Sequence, residues 1–228
     1  MIFSTLLGKI KGVTHGFGTR FDAVPLNGHL LQQVHGKKII VIRRGEECRG
    51  VLQYAPTNEP KADAWITNAS SIVLGIKTAD CVPILMYDPI QKVVAAVHAG
   101  WKGTSFNISG ETVKMMREEF YCKPSDIIAA IGPAVGFCCY EVEDDVVSLF
   151  KKNYGPNPAL VVKGEKKGKY FLNTQGVNRR QLLEGGLLPE KIETIFLCTH
   201  CRADLLHSVR RDGDEAGRQV SWVSLIQQ

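Results

Sequence analysis

The order of elements in this sequence predicts a mixed α/β sandwich rather than a doubly wound parallel sheet. Apolar β-type runs follow one another across turns too short for a helical crossover, which implies antiparallel pairs. Only three segments show helical periodicity, and these must cover sheet faces rather than alternate regularly with strands. No repeat, low-complexity tract or linker interrupts the chain, which predicts one domain over residues 1–228.

In chain order, the β-branched run 37–43 reads as the first strand, followed by strands at 63–67 (Asp63-Ala-Trp-Ile-Thr67) and 72–77 (Ile72-Val-Leu-Gly-Ile-Lys77). Between the first two, segment 44–62 is polar and contains Pro56 and Pro60, so it reads as a surface excursion. Strands 82–87 and 92–98 are separated by Asp88-Pro89, a turn signal that makes them a hairpin. A helix is expected over 105–121, where Gly110 to Phe120 carries apolar residues at helical spacing. Strand 127–131, helix 143–152 and strand 169–173 follow. Helix 175–186 ends in Gly185-Gly186, a C-terminal stop, and strands 192–198 and 218–225 complete the set.

Hydrophobic residues make up 44% and charged residues 22% of the 228, which excludes a disordered chain. No apolar run reaches the length of a membrane span. The first ten residues show no basic region before their short apolar stretch and no small-residue cleavage site, so a cytoplasmic protein is expected. Apart from Lys163 to Lys169, the basic residues behind the net charge of +5 are scattered and not interleaved with aromatic residues, so nucleic acid is unsupported and a small anion such as phosphate fits at least as well. Seven cysteines, an odd number without a spaced framework, argue against a disulfide-stapled secreted protein. No segment reads as a coiled coil or an obvious interface, so the sequence leaves the oligomeric state open, a monomer included.

Chemistry concentrates at the open end of the central hairpin. Cys81 precedes its first strand in Thr78-Ala-Asp-Cys-Val-Pro83, and His98 ends its second in Val97-His-Ala-Gly-Trp-Lys-Gly103. His35, in Gln33-Val-His-Gly36, precedes another β-type run. One thiolate and two imidazoles make a zinc set with a coordination position left open. Their separations of 46 and 17 residues match no local zinc pattern, so a strand-end core thiol and two turn histidines remain the alternative on spacing alone. Asp80 is placed to support Cys81 or carry a proton.

Other motifs carry less. Cys198-Thr-His-Cys201 lacks a second Cys-x-x-Cys for a zinc ribbon and a helix for a redox pair, so it reads as strand-end thiols, as does Cys138-Cys139. Gly164-Glu-Lys-Lys-Gly-Lys169 is one residue short of a phosphate loop and reads as a solvated basic turn. His207-Ser-Val-Arg-Arg-Asp-Gly213 with Gly217-Arg218 gathers guanidinium groups suited to phosphate or carboxylate, or to a surface ion-pair patch.

Taken together, the blocks His15-Gly-Phe-Gly-Thr-Arg20, Gln33-Val-His-Gly36, Ala62-Asp-Ala-Trp-Ile-Thr67, Thr78 to Pro83, His98 to Gly103, Ile131-Gly-Pro133, Cys139-Tyr-Glu-Val142 and Ser208-Val-Arg-Arg-Asp212 resemble the YfiH-type family. These are the bacterial relatives of the human FAMIN protein, labelled laccase-domain or multicopper polyphenol oxidase. The resemblance runs from about residue 15 onward. It implies a four-layer α/β/β/α sandwich with helices on the outer faces, and a catalytic zinc held by His35, Cys81 and His98. It also implies phosphorolysis of purine nucleosides (adenosine, inosine, guanosine and methylthioadenosine) to base and ribose 1-phosphate, with adenosine deaminase activity. The chain departs from the pattern in three places. Only Phe21 to Gln32 separate the first two blocks, Asn173 replaces an aspartate, and Leu206-His207 replaces an aromatic pair.

In that reading Cys81, His98 and Asp80 are catalytic. Arg20, Gln33, Lys102, Arg210 and Arg211 are expected to bind substrate, with the cations clamping phosphate as it attacks the ribose C1′. The cytidine-deaminase pattern of His-x-Glu with Pro-Cys-x-x-Cys is absent, so Asp80 stands in as the proton carrier for deamination. Three other classes compete. A copper-binding polyphenol oxidoreductase would use the same donors with Met86 nearby, Cu2+ ranking above Zn2+ in affinity, yet six histidines and no His-x-His pair are too few for a multicopper laccase. A Cys–His hydrolase or deamidase would use Cys81 as nucleophile and His98 as base. A metal-storing scaffold would bind zinc without turnover.

Overall fold

The computed structural model describes residues 1–23, 28–45, 59–70 and 72–226. In chain order the elements are helix α1 (Thr5–Gly8) and strands β1 (Val13–Phe17), β2 (Gly28–His29), β3 (Ile39–Ile42), β4 (Ala64–Thr67), β5 (Val73–Thr78), β6 (Val82–Asp88) and β7 (Val93–Ala99). Helices α2 (Trp101–Ser105) and α3 (Ile108–Phe120) lead to β8 (Ile128–Ile131), β9 (Glu141–Glu143), α4 (Asp144–Tyr154), β10 (Val161–Lys163) and β11 (Lys169–Leu172). Helix α5 (Thr174–Glu184), β12 (Ile192–Thr194), α6 (Val209–Asp212) and β13 (Gln219–Leu225) complete the chain.

The strands form a six-stranded sheet in the order β12-β8-β6-β7-β4-β3, a four-stranded sheet β1-β13-β5-β2 and a small sheet β10-β11-β9. Pairing is mixed: β6 runs antiparallel to β7 and β8, while β3 is parallel to β4 and β12 to β8. This is the mixed α/β sandwich that the short turns predict, with helices the minor part. Strands β6 and β7 read as continuous apolar runs because both of their faces are covered. Ile84, Met86 and Val97 point toward Val113 and Met116 of α3 and Leu182 of α5. Leu85, Tyr87 and Val94 point the other way, against Leu74, Ile76 and Val223 of the four-stranded sheet. A third cluster joins α4 to the small sheet through Val147, Phe150 and Leu172.

Several boundaries differ from the sequence expectations, each for a local reason. The helix expected over 105–121 is α3, starting at Ile108, and the short α2 precedes it. Asn107, in a left-handed conformation (φ 61°), separates the two at the start of α3. The strand expected over 192–198 leaves the sheet after Thr194, and Phe196 is exposed. Strand β1 was not expected, and β2, β9 and β10 are only two or three residues long. The Gly164–Lys169 turn joins β10 to β11, a solvated connection rather than a phosphate loop. Of the 44–62 excursion, residues 46–58 lie outside the described residues, as do 24–27 of the segment from Phe21 to Gln32.

Candidate metal centre

The β6–β7 register pairs Pro83 with His98 and Val82 with Ala99, so Cys81, one residue before β6, sits beside His98 at the open end of the hairpin. His35 reaches the same point from a segment tied down at Gln32, whose neighbour across a bridge is Lys61. One ligand atom from each of His35, Cys81 and His98 lies within 4.8 Å of the others. The two imidazoles meet edge to face, with ring centroids 4.8 Å apart.

A single carboxylate arranges this meeting. Asp63, just before β4 and fully buried, accepts the backbone amides of His35 (2.9 Å) and Gly36 (2.7 Å). The same side chain bonds Nδ1 of His98 at 2.9 Å, and its carbonyl accepts the His98 amide at 2.8 Å. The His35 backbone is left-handed (φ 55°), a conformation of higher energy that the Asp63 bonds hold in place. With a proton on Nδ1 facing Asp63, Nε2 of His98 keeps its lone pair for the site, the arrangement carboxylate partners impose on metal-binding histidines. Gly100, just after β7, permits the close approach. A Cβ there would stand 2.8 Å from the His35 ring and 3.2 Å from the Cys81 sulfur.

The charges match a cation site. Burial opposes a Cys81 thiolate, but the charge of His98 and hydrogen bonds from His35 and His98 outweigh it and bring the thiol down to about 6. Burial likewise opposes a charged His98, yet the Cys81 charge and the Asp63 carboxylate raise it to about 9. Asp63 is held below the usual carboxylate range, because the bonds from His98, Gly36 and His35 overcome its burial. A thiolate with an imidazolium, next to a buried carboxylate, is a set of donors held together by a proton that a metal would replace.

Beside these residues opens a pocket of about 1050 Å³, lined by Leu31, Gln33, Asp80, Tyr140, Arg210 and Arg218 among others. That is at the upper end of small-ligand cavities, about 300–1,000 Å³. Asp80 lines it in a left-handed conformation (φ 96°), with one carboxylate oxygen bonded to the Thr199 hydroxyl at 2.5 Å and the other to the Arg210 amide at 2.6 Å. The Tyr140 phenol is pushed up by burial and by the Cys81 charge, and the Arg210 guanidinium lies 5.3 Å from its ring centre.

Of the substrate-binding expectations, Gln33 and Arg210 reach the pocket and the others lie outside its lining. Gln33 brackets the β5 backbone, its amide group donating to the Lys77 carbonyl and accepting from the Lys77 amide. Arg20 donates to the Ala203 carbonyl. Lys102 rests over the Trp101 ring, 5.4 Å from its centre. Arg211 braces a loop by donating to the Thr199, His200 and Leu206 carbonyls and pairs with Asp212. Asn173, which replaces an aspartate, caps α5 by accepting the Gly176 amide. Sequence reasoning did not single out Asp63 or Tyr140. Both sit inside quoted blocks, but an aspartate ahead of a strand and a tyrosine after two cysteines carry no local sign of their role.

Residues 18–226 match the family model of the multi-copper polyphenol oxidoreductase laccase. The chain is 35% identical over 192 residues to Purine nucleoside phosphorylase YlmD of Geobacillus stearothermophilus, covering 84% of this chain and 70% of that protein. It is 36% identical over 192 residues to Adenosine deaminase RL5 of an unknown prokaryotic organism, covering 84% and 72%. Among solved structures, the Bacillus licheniformis hypothetical protein YfiH superposes with a TM-score of 0.80 at 34% identity, covering 88% of this chain and 74% of that one. No helix among the described residues is long and apolar enough to cross a membrane.

Proposed function

This chain belongs to the multi-copper polyphenol oxidoreductase laccase family, and we propose that within it the protein is a purine nucleoside phosphorylase with accompanying adenosine deaminase activity, using zinc held by His35, Cys81 and His98. The observation that carries the reading is the convergence of those three donors, organised by Asp63, in a pocket that Arg210 and Arg218 also line. The donor set fits the metal: a borderline-soft cation takes thiolate and imidazole together, and three protein ligands leave one position for an exogenous oxygen. When bound there, zinc would supply Lewis acidity and lower the pKa of an oxygen it contacts. A multicopper centre fits less well, since only two of the six histidines enter a donor cluster among the described residues.

The chain's own residues set the remaining terms. Asp63 fixes the tautomer and aim of His98 and the backbone of His35. Arg210 and Arg218 offer fork-shaped donors for phosphate, the nucleophile that forms a bond to the ribose C1′ as the glycosidic C–N bond breaks and the purine leaves. Leu31 and the Tyr140 ring present apolar surface for a base, and the neutral phenol offers a donor. Asp80 positions the Arg210 segment through its backbone amide, and its place beside Cys81 makes it the carboxylate nearest in sequence for proton transfer during deamination. The soluble composition agrees with action in the cytoplasm on free nucleosides.

The deciding experiment incubates adenosine with metal-quantified protein, with and without phosphate and chelator, beside Cys81→Ala. Phosphate-dependent adenine and phosphate-independent inosine are expected, both lost with chelator and in the variant. Unchanged adenosine in a folded, zinc-loaded sample overturns the reading.

A second reading draws on the Cys81–His98 charge pair, which would also suit a Cys–His hydrolase. The two separate by alkylation. A thiolate on zinc resists iodoacetamide until chelator is added, whereas a free nucleophile reacts at once.

A further inference from the structure

The thiols that read in sequence as unrelated strand ends come together. The chain after β8 and the chain after β12 run side by side, with Ala134 bridged in parallel to Cys198 and amides exchanged between Ala134 and Leu197 and between Thr199 and Ala134. This register sets Cys138-Cys139 against Cys198-Thr-His-Cys201, and the four sulfurs all lie within 4.8 Å of one another. Cys201 stands 3.8 Å from the Cys138 sulfur and 3.4 Å from that of Cys139. These separations are too long for a disulfide, about 2.05 Å. They match the edge of a tetrahedron of sulfurs around zinc, about 3.8 Å for a Zn–S bond of about 2.3 Å.

Two further features belong to a thiolate cage rather than to chance packing. Gly136 donates its amide to the Cys198 sulfur at 3.1 Å, and its lack of a side chain allows the close packing: a Cβ would stand 3.0 Å from the Cys198 Cβ and 3.2 Å from the Cys138 and Cys198 sulfurs. The Cys201 amide also reaches back to the Cys198 sulfur, so two backbone N–H groups are aimed at it. Amides aimed at a sulfur stabilise the charged form that a metal requires.

We propose that Cys138, Cys139, Cys198 and Cys201 form a second metal site, a closed four-thiolate zinc site. On binding, the four thiols release their protons to solvent and place four sulfur ligands on one dication, leaving a net charge of −2. The Arg211 guanidinium, bonded to the carbonyls of Thr199 and His200 inside the Cys-x-x-Cys turn, offsets part of that charge. The site is structural, because four protein ligands leave no position for substrate. It pins two chain segments that build the pocket. Tyr140 directly follows Cys139, and Thr199, which holds Asp80, directly follows Cys198.

The test measures zinc per chain in the wild type, in Cys138→Ser/Cys201→Ser and in Cys81→Ala, then replaces zinc with Co(II) and records the absorption spectrum. Cys138 and Cys201 are both exposed, so serine at these positions leaves the core intact. The wild type is expected to hold one more zinc per chain than the double variant, and Cys81→Ala to keep that zinc. The Co(II) form of Cys81→Ala should show intense sulfur-to-cobalt charge transfer and tetrahedral ligand-field bands, both missing from the double variant. Should either variant fail to fold, stepwise Co(II) titration of the wild type must still show a four-sulfur increment distinct from the one-sulfur site. Equal zinc in wild type and double variant overturns the proposal. So does a titration without the four-sulfur increment, or a Cys138–Cys201 disulfide in protein that takes up no zinc after reduction. Because Cys81→Ala removes the first site alone, failure of the nucleoside reading and failure of this one are told apart.

Discussion

Two sulfur-bearing clusters stand on either side of Asp80, and they are built on different plans. At Cys81 the donors are one thiol and two imidazoles, and a buried carboxylate just before β4 holds two of them. At Cys198 all four donors are thiols, and backbone amides rather than a carboxylate support them. The first opens on a pocket; the second has two of its cysteines at the surface and none in the pocket lining. An incomplete donor set facing a cavity leaves room for chemistry, whereas a complete one fixes chain segments. The shared neighbour makes the two plans cooperate, since Asp80 is bonded to Thr199 on one side and precedes Cys81 on the other.

The contrast breaks most directly at Cys81. Cys81→Ala is expected to reduce phosphorolysis by more than about a hundredfold, since even the outer partners of metal ligands are worth about 10–100-fold. Steady-state kinetics on zinc-reconstituted protein checks it, and near-normal kcat would return the site to a structural role. Asp63→Asn is next. It keeps an acceptor for the amides but loses the charge facing His98, and zinc affinity or kcat/KM should fall by about 10–100-fold. Competition with a chelator of known affinity measures the first of these.

Arg210→Ala should raise the KM for phosphate by about tenfold, the equivalent of one charge-assisted hydrogen bond, and leave nucleoside binding little changed. Its backbone bond to Asp80 survives the substitution, so the effect reads the guanidinium alone. Unchanged phosphate dependence would remove Arg210 from the anion site.

Thiol reactivity sharpens the comparison further. In chelator-treated protein, Cys81 is a thiolate down to about pH 6, because His98 stabilises its charge, so its alkylation rate should decline only below that pH. Cys138 and Cys139 are shifted upward and should gain reactivity only toward alkaline pH. Mass spectrometry of iodoacetamide-treated peptides across pH 5–9 distinguishes them. The smallest effect on turnover is expected from Cys138→Ser/Cys201→Ser, with kcat within about threefold of wild type and a melting temperature lower by roughly 5–10 °C.

Legibility differed between the two clusters. The central hairpin was readable because its apolar runs and the Asp88-Pro89 turn are local signals, and the turn is closed as expected by Asp88 accepting the amides of Ile90 and Gln91. Placing Cys81 and His98 together needed only that hairpin register. His35 was legible through the quoted block rather than through spacing. The four-thiol cluster was not legible, because a half motif was sought a partner of its own kind, and the partner is an adjacent pair some sixty residues upstream. Among the arginines, sequence grouped Arg210 and Arg211 together. The short helix α6 sends one toward the pocket and the other into carbonyl oxygens behind it.

The sequence by itself determined the mixed α/β class and the positions of the longer strands and helices, and it singled out His35, Cys81 and His98 as candidate donors. Those are properties of period, turn chemistry and short blocks, which neighbouring residues decide among themselves. Only the tertiary structure decided that Asp63 serves residues 35, 36 and 98 at once, that Tyr140 walls the pocket, and that residues 134 and 198 lie in register. Such meetings join positions tens of residues apart. They arise because buried strands accept only the pairing that covers both sheet faces and pairs the buried backbone groups, a condition written over the whole chain at once.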